Sequence, residues 1–242
     1  MANAFSFFEL NVHSPFYAKI NEVLGLATDE FYSSYVNDPV LKGRMDFIGE
    51  YLDQGENGEY PINKLIALAT FSLIEGAVLY SSFAYLKHFQ ACGKNKLINI
   101  VRGVDMSVRD EALHSEAGAW LFKTLLQESN LSMSEKALLK YEVNQVVSKI
   151  REHEHQIVDM IFEKGKIEGI TAHQMKNFVD SRIDLCLSNL GYEKVYKPEY
   201  NPVAEWFYTS INAYKFNDFF TGIGREYNRN WDEESFIWKT ED

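Results

Sequence analysis

RDEALHSEAGAWLF, residues 109–122, repeats apolar side chains at helical spacing, and Glu111 and His114 interrupt that pattern three residues apart. Residues three apart on an α-helix share one side, so this carboxylate and this imidazole face the same neighbour. One helix earlier, ATFSLIEGAVLYSSFAYL (residues 69–86) holds a single acid, Glu75, with apolar residues on nearly every side. An ionised carboxylate there costs several kcal/mol unless a cation or a metal meets it. Two readings of Glu75 by itself carry equal weight. It is protonated or bonded to a buried arginine such as Arg102 or Arg109, or it is a ligand. The Glu111/His114 pair on the next helix favours the ligand, because Glu-x-x-His facing a bundle interior is half of a dinuclear carboxylate site.

Working outward, the chain reads as all-α. Asn3 to Leu24 forms a helix that contains Pro15, and shorter helices follow over Thr28–Val36 and Pro39–Leu52. Asp53 to Pro61 is loop, Pro61 to Ala91 one long apolar helix, and Leu97 to Glu128 another. Ser132 with Glu135 and Thr171 with Gln174 are capping boxes for helices reaching Glu163 and Gly191. After Tyr192 the chain is irregular and aromatic, and its last residues, WDEESFIWKTED, are a loose acidic tail. The expected domains are 1–228, helical, and 229–242, the tail. His153 and His155 in REHEHQ look like a metal tract, but their charged neighbours indicate a solvated helix face.

The 242 residues, 46% hydrophobic, suffice for a substantial core. A net charge of −11 opposes binding to nucleic acid. Two cysteines, Cys92 and Cys186, cannot build a disulfide framework or a four-thiolate site. The first residues lack the features of a secretory signal, and the apolar run from Leu65 to Leu79 contains Glu75 and is short for a bilayer. A cytoplasmic protein with no membrane partner is expected.

FFELNVHSPFYAKINEVL (residues 7–24) adds His13 on an aromatic helix face and Tyr17 one turn later. A core histidine and an ordinary buried tyrosine are the plain readings of each alone. Together with EGAVLYSSFAYL and RDEALHSEAGAWLF, in this order, the stretch resembles the metal-binding helices of class I ribonucleotide reductase small subunits. NPVAEWF and NDFFTGIGREY resemble that family's C-terminal region. The resemblance implies a ferritin-like helical bundle with long helices and additional C-terminal helices. It implies that His13, Glu75, Glu111 and His114 are metal ligands and that Tyr17 bears a radical. Asp110 would orient His13 and join it to a radical-transfer path, and Leu79 and Phe83 would wall an apolar pocket around the radical. The family places a further Glu three residues before the first-helix histidine, where this chain has Leu10, with Glu9 four before. On an ideal helix Glu9 is rotated about 40° from His13 and Leu10 about 60° the other way, so either can face the site. Pro15 cannot donate to Asn11, and a local distortion there would settle the register. Glu9 is taken as the ligand.

The implied activity is that of a ribonucleoside-diphosphate reductase small subunit serving deoxyribonucleotide synthesis. A dinuclear centre, iron–iron first and manganese–iron or manganese–manganese next, uses oxygen to oxidise Tyr17. The radical then passes to a large catalytic subunit. A homodimer is expected, as is a complementing N-terminal polypeptide that supplies an Asp ligand missing here. The tail would dock on the large subunit through Trp231, Phe236 and Trp238, with Tyr227 as a relay. The alternatives are a ferritin-like di-metal oxidase with a small substrate and a metal-deficient, non-catalytic homologue.

Overall fold

The computed structural model describes residues 7, 9–57, 61–91 and 96–212, and among these no strand occurs. Four long helices form the framework: α4 (Pro61–Ala77), α6 (Ile98–Glu128), α7 (Met133–Glu163) and α8 (Ala172–Leu190). Leu65, Leu73, Val104, Phe122, Val146, Ile150, Phe178 and Ile183 fill the space between them, each essentially inaccessible to solvent. By length and composition the 61–91 stretch could cross a membrane. Here it is a core helix, because its apolar residues are enclosed by α6, α7 and α8.

Local signals set the helix ends. Both capping boxes form, with Ser132 Oγ accepting from the Glu135 N–H at 3.3 Å and Thr171 Oγ1 from the Gln174 N–H at 3.2 Å. Gly191 ends α8 at φ 90°, in the left-handed region that glycine adopts without strain.

The distortion expected at Pro15 is present: Glu9–His13 forms a π-helical turn, and α1 (Ser14–Val23) follows it with Pro15 in its first turn. The wider turn absorbs the donor that Pro15 lacks. Three expectations need correction. After α2 (Asp29–Asn37), α3 (Pro39–Asn57) runs through most of the residues read as loop. The 61–91 helix is broken at Val78–Leu79, with Leu79 at φ 73°, and resumes as α5 (Tyr80–Ala91). NPVAEWFY is not irregular: Asn201 Oδ1 accepts from the Val203 N–H and starts α9 (Pro202–Asn212), whose Phe207 is fully buried. The irregular 193–201 segment before it is held by Asp184, which accepts from the N–H groups of Val195, Tyr196 and Lys197. The helical part of the expected 1–228 domain is thus described to Asn212. The 229–242 tail, Cys92, Tyr227, Trp231, Phe236 and Trp238 lie outside the described residues.

Candidate metal centre

Two close approaches bring together the helices that carry Glu75, Glu111, His114 and His13. Gly76, beside Glu75, lies so close to Ser115 and Cys186 that a Cβ there would overlap their side chains. This presses α4 against α6 and α8. Gly103 on α6 leaves room for the Phe16 ring, which docks α1 alongside and brings His13 and Tyr17 to the same face of α6.

At the meeting point, Glu9, Glu75, Glu111 and His114 each offer an atom, and these atoms lie within 4.8 Å of one another. Glu111 lies between the two histidines. Its Oε1 is 3.4 Å from His13 Nδ1, and its Oε2 is 3.3 Å from His114 Nδ1. Glu75 Oε2 is 3.0 Å from His114 Nδ1. Glu9 Oε1 sits 2.9 Å from His13 Nδ1 and 3.9 Å from His114 Nδ1. His13 turns its other nitrogen, Nε2, to Asp110 Oδ2 at 3.0 Å. The π-helical turn directs Glu9 inward and leaves Leu10 70% exposed.

The electrostatics follow from four carboxylates around two imidazoles. The bond to Asp110 and the one to Glu111 push the His13 pKa up to about 10, so without a metal the ring is an imidazolium. Burial, and then the neighbouring Glu111 carboxylate, push Glu75 up to about 8. Protons offset part of the negative charge that the four carboxylates bring together.

Tyr17 donates to Ser107 Oγ at 3.1 Å, and burial raises its pKa. The Phe16 ring stands edge-on to it, with centroids 5.0 Å apart. Phe83 is buried, but Leu79 is 39% exposed because the helix break turns it outward. Arg102 and Arg109, offered as buried partners of Glu75, are exposed; among the described residues the buried arginines are Arg44 and Arg182. His153 and His155 are not on a solvated face: they bond Arg44 Nε at 3.0 Å and Asp180 Oδ1 at 2.9 Å.

Two residues near the site escaped the sequence reading. Ser107 stands four residues before Glu111 and seven before His114, a spacing that places it on the same face. Arg182 donates to the Gly76 carbonyl. It lies within the buried FVDSRIDLCL stretch of α8, a charge among apolar residues as Glu75 is.

Residues 1–202 match the model of the family described as ribonucleotide reductase, small chain. The chain is 30% identical over 163 residues to the "Probable ribonucleoside-diphosphate reductase small subunit 048L" of Invertebrate iridescent virus 3, covering 67% of this chain and 42% of that one. It is 28% identical over 226 residues to the ribonucleoside-diphosphate reductase subunit beta of Halalkalibacterium halodurans, covering 91% of this chain and 63% of the relative. It therefore spans about two fifths to two thirds of the length of these relatives. A Bacillus halodurans protein solved as a candidate class I ribonucleotide reductase superposes with a TM-score of 0.73 at 25% identity, over 86% of this chain and 72% of the other. The dimanganese(II)-NrdF of Streptococcus sanguinis (TM-score 0.64, 21% identity, 82% of this chain and 67% of that one) shares the fold. With the family model matched over most of its length, and with the ferritin-like helical architecture of its neighbours, this chain belongs to the small-chain family of ribonucleotide reductase.

Proposed function

We propose that this chain carries the metal centre of a ribonucleoside-diphosphate reductase small subunit, with Glu9, His13, Glu75, Glu111 and His114 as ligands. The supporting observation is the convergence of these residues from the π-helical turn, α4 and α6. Carboxylate oxygens and imidazole nitrogens suit iron and manganese, with iron–iron first and manganese–iron or manganese–manganese next. When bound, such a centre supplies one-electron oxidising chemistry with oxygen.

The chain's own residues do the rest. Glu111 presents one oxygen toward each histidine, the arrangement a bridge between two ions needs. His13 must release its Nδ1 proton to bind, while its Nε2–H donates to Asp110, which fixes the ring and raises its basicity. Glu75 must release its proton too, so cation uptake is coupled to proton release. Tyr17 is the radical-bearing side chain, and its oxidation requires loss of the phenolic proton now held against Ser107 Oγ. The Phe16 edge helps keep water from that ring's surroundings. Asp110 and His13 form the start of a path out of the site. The partners of this role are a large catalytic subunit where the nucleotide is reduced, a second copy of the small subunit, and a polypeptide supplying a further Asp ligand. The setting is cytoplasmic.

Elemental analysis with electron paramagnetic resonance tests the reading on protein purified with its co-purifying chains. Roughly two iron or manganese ions per chain with a tyrosyl or mixed-metal signal is the expected result. Folded, homogeneous protein free of both metals would overturn it.

A further inference from the structure

Arg182 is 5% exposed, yet its partners are not carboxylates. Its Nε and Nη2 both donate to the Gly76 carbonyl, at 2.9 and 2.6 Å, and Nη1 donates to the Tyr208 hydroxyl at 3.0 Å. The guanidinium carbon lies 3.9 Å from the centre of the Tyr80 ring and 5.7 Å from that of Tyr208. Gly76 and Tyr80 flank the break at Val78–Leu79. In an unbroken α-helix the carbonyl of residue 76 accepts from the N–H of residue 80. Here α4 ends at Ala77, and the guanidinium is bound at that carbonyl, where a cation meets the negative end of the helix dipole. The Tyr80 ring on the far side of the break holds the same cation through its π-face.

Nothing in residues 77–80, Ala-Val-Leu-Tyr, asks for a break. A leucine at φ 73° is strained and persists only where the surroundings impose it. Arg182 is that surrounding, because it grips both sides. The peptide it holds joins Gly76 to Ala77, and the residue before it is Glu75, whose carboxylate lies 3.0 Å from His114.

We propose that Arg182 is a positioning residue for the metal centre: by clamping the α4–α5 break through the Gly76 carbonyl and the Tyr80 ring, it sets where Glu75 stands. The proposal rests on the metal-centre reading for its effect on cations, and on geometry alone for its effect on Glu75. Its removal lets the break relax toward a continuous helix, which rotates Glu75 away from His114.

The test titrates the full chain, with its co-purifying partners, with Mn(II), reading free ion by electron paramagnetic resonance. Arg182→Gln should weaken Mn(II) binding about tenfold or more, the range for residues that orient ligands. Leu79→Gly in that background should recover most of the loss, because glycine holds a positive φ without a clamp. Arg151→Gln removes the paired bonds to Asp180, which involve neither Gly76 nor Tyr80, and should lower stability while leaving Mn(II) affinity unchanged. Arg182→Lys keeps the charge without the fork and should fall between, and it stands in if the glutamine variant does not fold. Wild-type affinity in a folded Arg182 variant, with Glu75 still 3 Å from His114 in its crystal structure, overturns the proposal. If the unmodified protein takes up no Mn(II), the metal reading fails, and the Glu75–His114 separation in the variant crystal alone decides.

Discussion

The cluster of charge around Glu154 and the one around Glu111 are built on opposite plans. Around Glu154, which is fully buried, the charges balance. Arg44 Nη2 donates to Glu154 Oε1 and Ser81 Oγ to Oε2, both at 2.6 Å, while Arg44 Nε donates to His153. Burial, and then the nearby Arg44, push the His153 pKa down, so the ring is a neutral acceptor. Around Glu111 the charges do not balance: Glu9, Glu75 and Asp110 join it against two imidazoles, and the structure compensates with protons. A balanced cluster is satisfied by folding and ties α3 and α5 to α7. An acid-rich one is left with a deficit of positive charge that a cation can fill.

The largest expected effect is on the balanced side. Glu154→Ala strands the Arg44 guanidinium in the interior and should cost about 3–5 kcal/mol of stability, seen as a lower denaturant midpoint. Metal binding by the remaining folded protein should not change. If stability were hardly altered while metal uptake fell, the division between the clusters would be wrong.

Glu75→Gln is the mirror experiment. It removes a carboxylate that crowds Glu111, so the metal-free protein should be no less stable than the unmodified one, while Mn(II) affinity should fall at least about a hundredfold, or about 2.7 kcal/mol. A clear loss of metal-free stability would make Glu75 a structural residue of the same kind as Glu154.

A smaller and more graded effect distinguishes the clusters by pH. Glu75 holds its proton more tightly folded than unfolded, up to about 8 against an ordinary 4.5, so it stabilises the metal-free fold below about 4.5 and loses that contribution as pH rises through about 8. His13, pushed up to about 10 from 6.5, contributes fully below about 6.5 and loses it through about 10. Stability of the metal-free protein from these two groups should decline between about pH 4.5 and 10, and Mn(II) affinity should rise over the same range as their protons leave. Thermal melts and titrations across that range check both slopes. Parallel slopes would mean that protons and cations do not compete for one site.

The unbalanced cluster was the more legible of the two from sequence, for a physical reason. Glu75, Glu111 and His114 each break an apolar helical period, and a broken period shows without knowledge of the neighbours. The distortion at Pro15 was legible as well, since a missing donor is a local fact, and it brought Glu9 inward instead of Leu10. The balanced cluster was not. Glu154 sits among Arg151, Glu152, His153 and His155, and α3, supplying Arg44, and α5, supplying Ser81, turn that charged stretch into an interior. The break at Leu79 was hidden in the same way: no glycine or proline marks it, and its cause is an arginine more than a hundred residues away. α9 escaped because its helix rests on the aromatic anchors Trp206 and Phe207 packed against α5 and α8.

The smallest expected effect lies at the edge of the unbalanced cluster, in the bond from Tyr17 to Ser107. Burial raises the Tyr17 pKa, and the serine hydroxyl, which accepts from the neutral phenol, works against that rise by turning to donate to the ionised oxygen. Ser107→Ala should therefore push the Tyr17 ionisation higher, cost about 1 kcal/mol of stability, and leave Mn(II) affinity as it was, since no ligand changes. Spectrophotometric titration against a Tyr17→Phe control isolates the phenol's signal. Where a tyrosyl radical forms, loss of the bond should also shift its g-tensor, because the phenoxyl oxygen then lacks a hydrogen-bond donor. An unchanged Tyr17 titration and an unchanged radical spectrum would make Ser107 a packing residue. Tyr17 would then depend on its apolar neighbours alone, with the Phe16 ring edge-on to it among them.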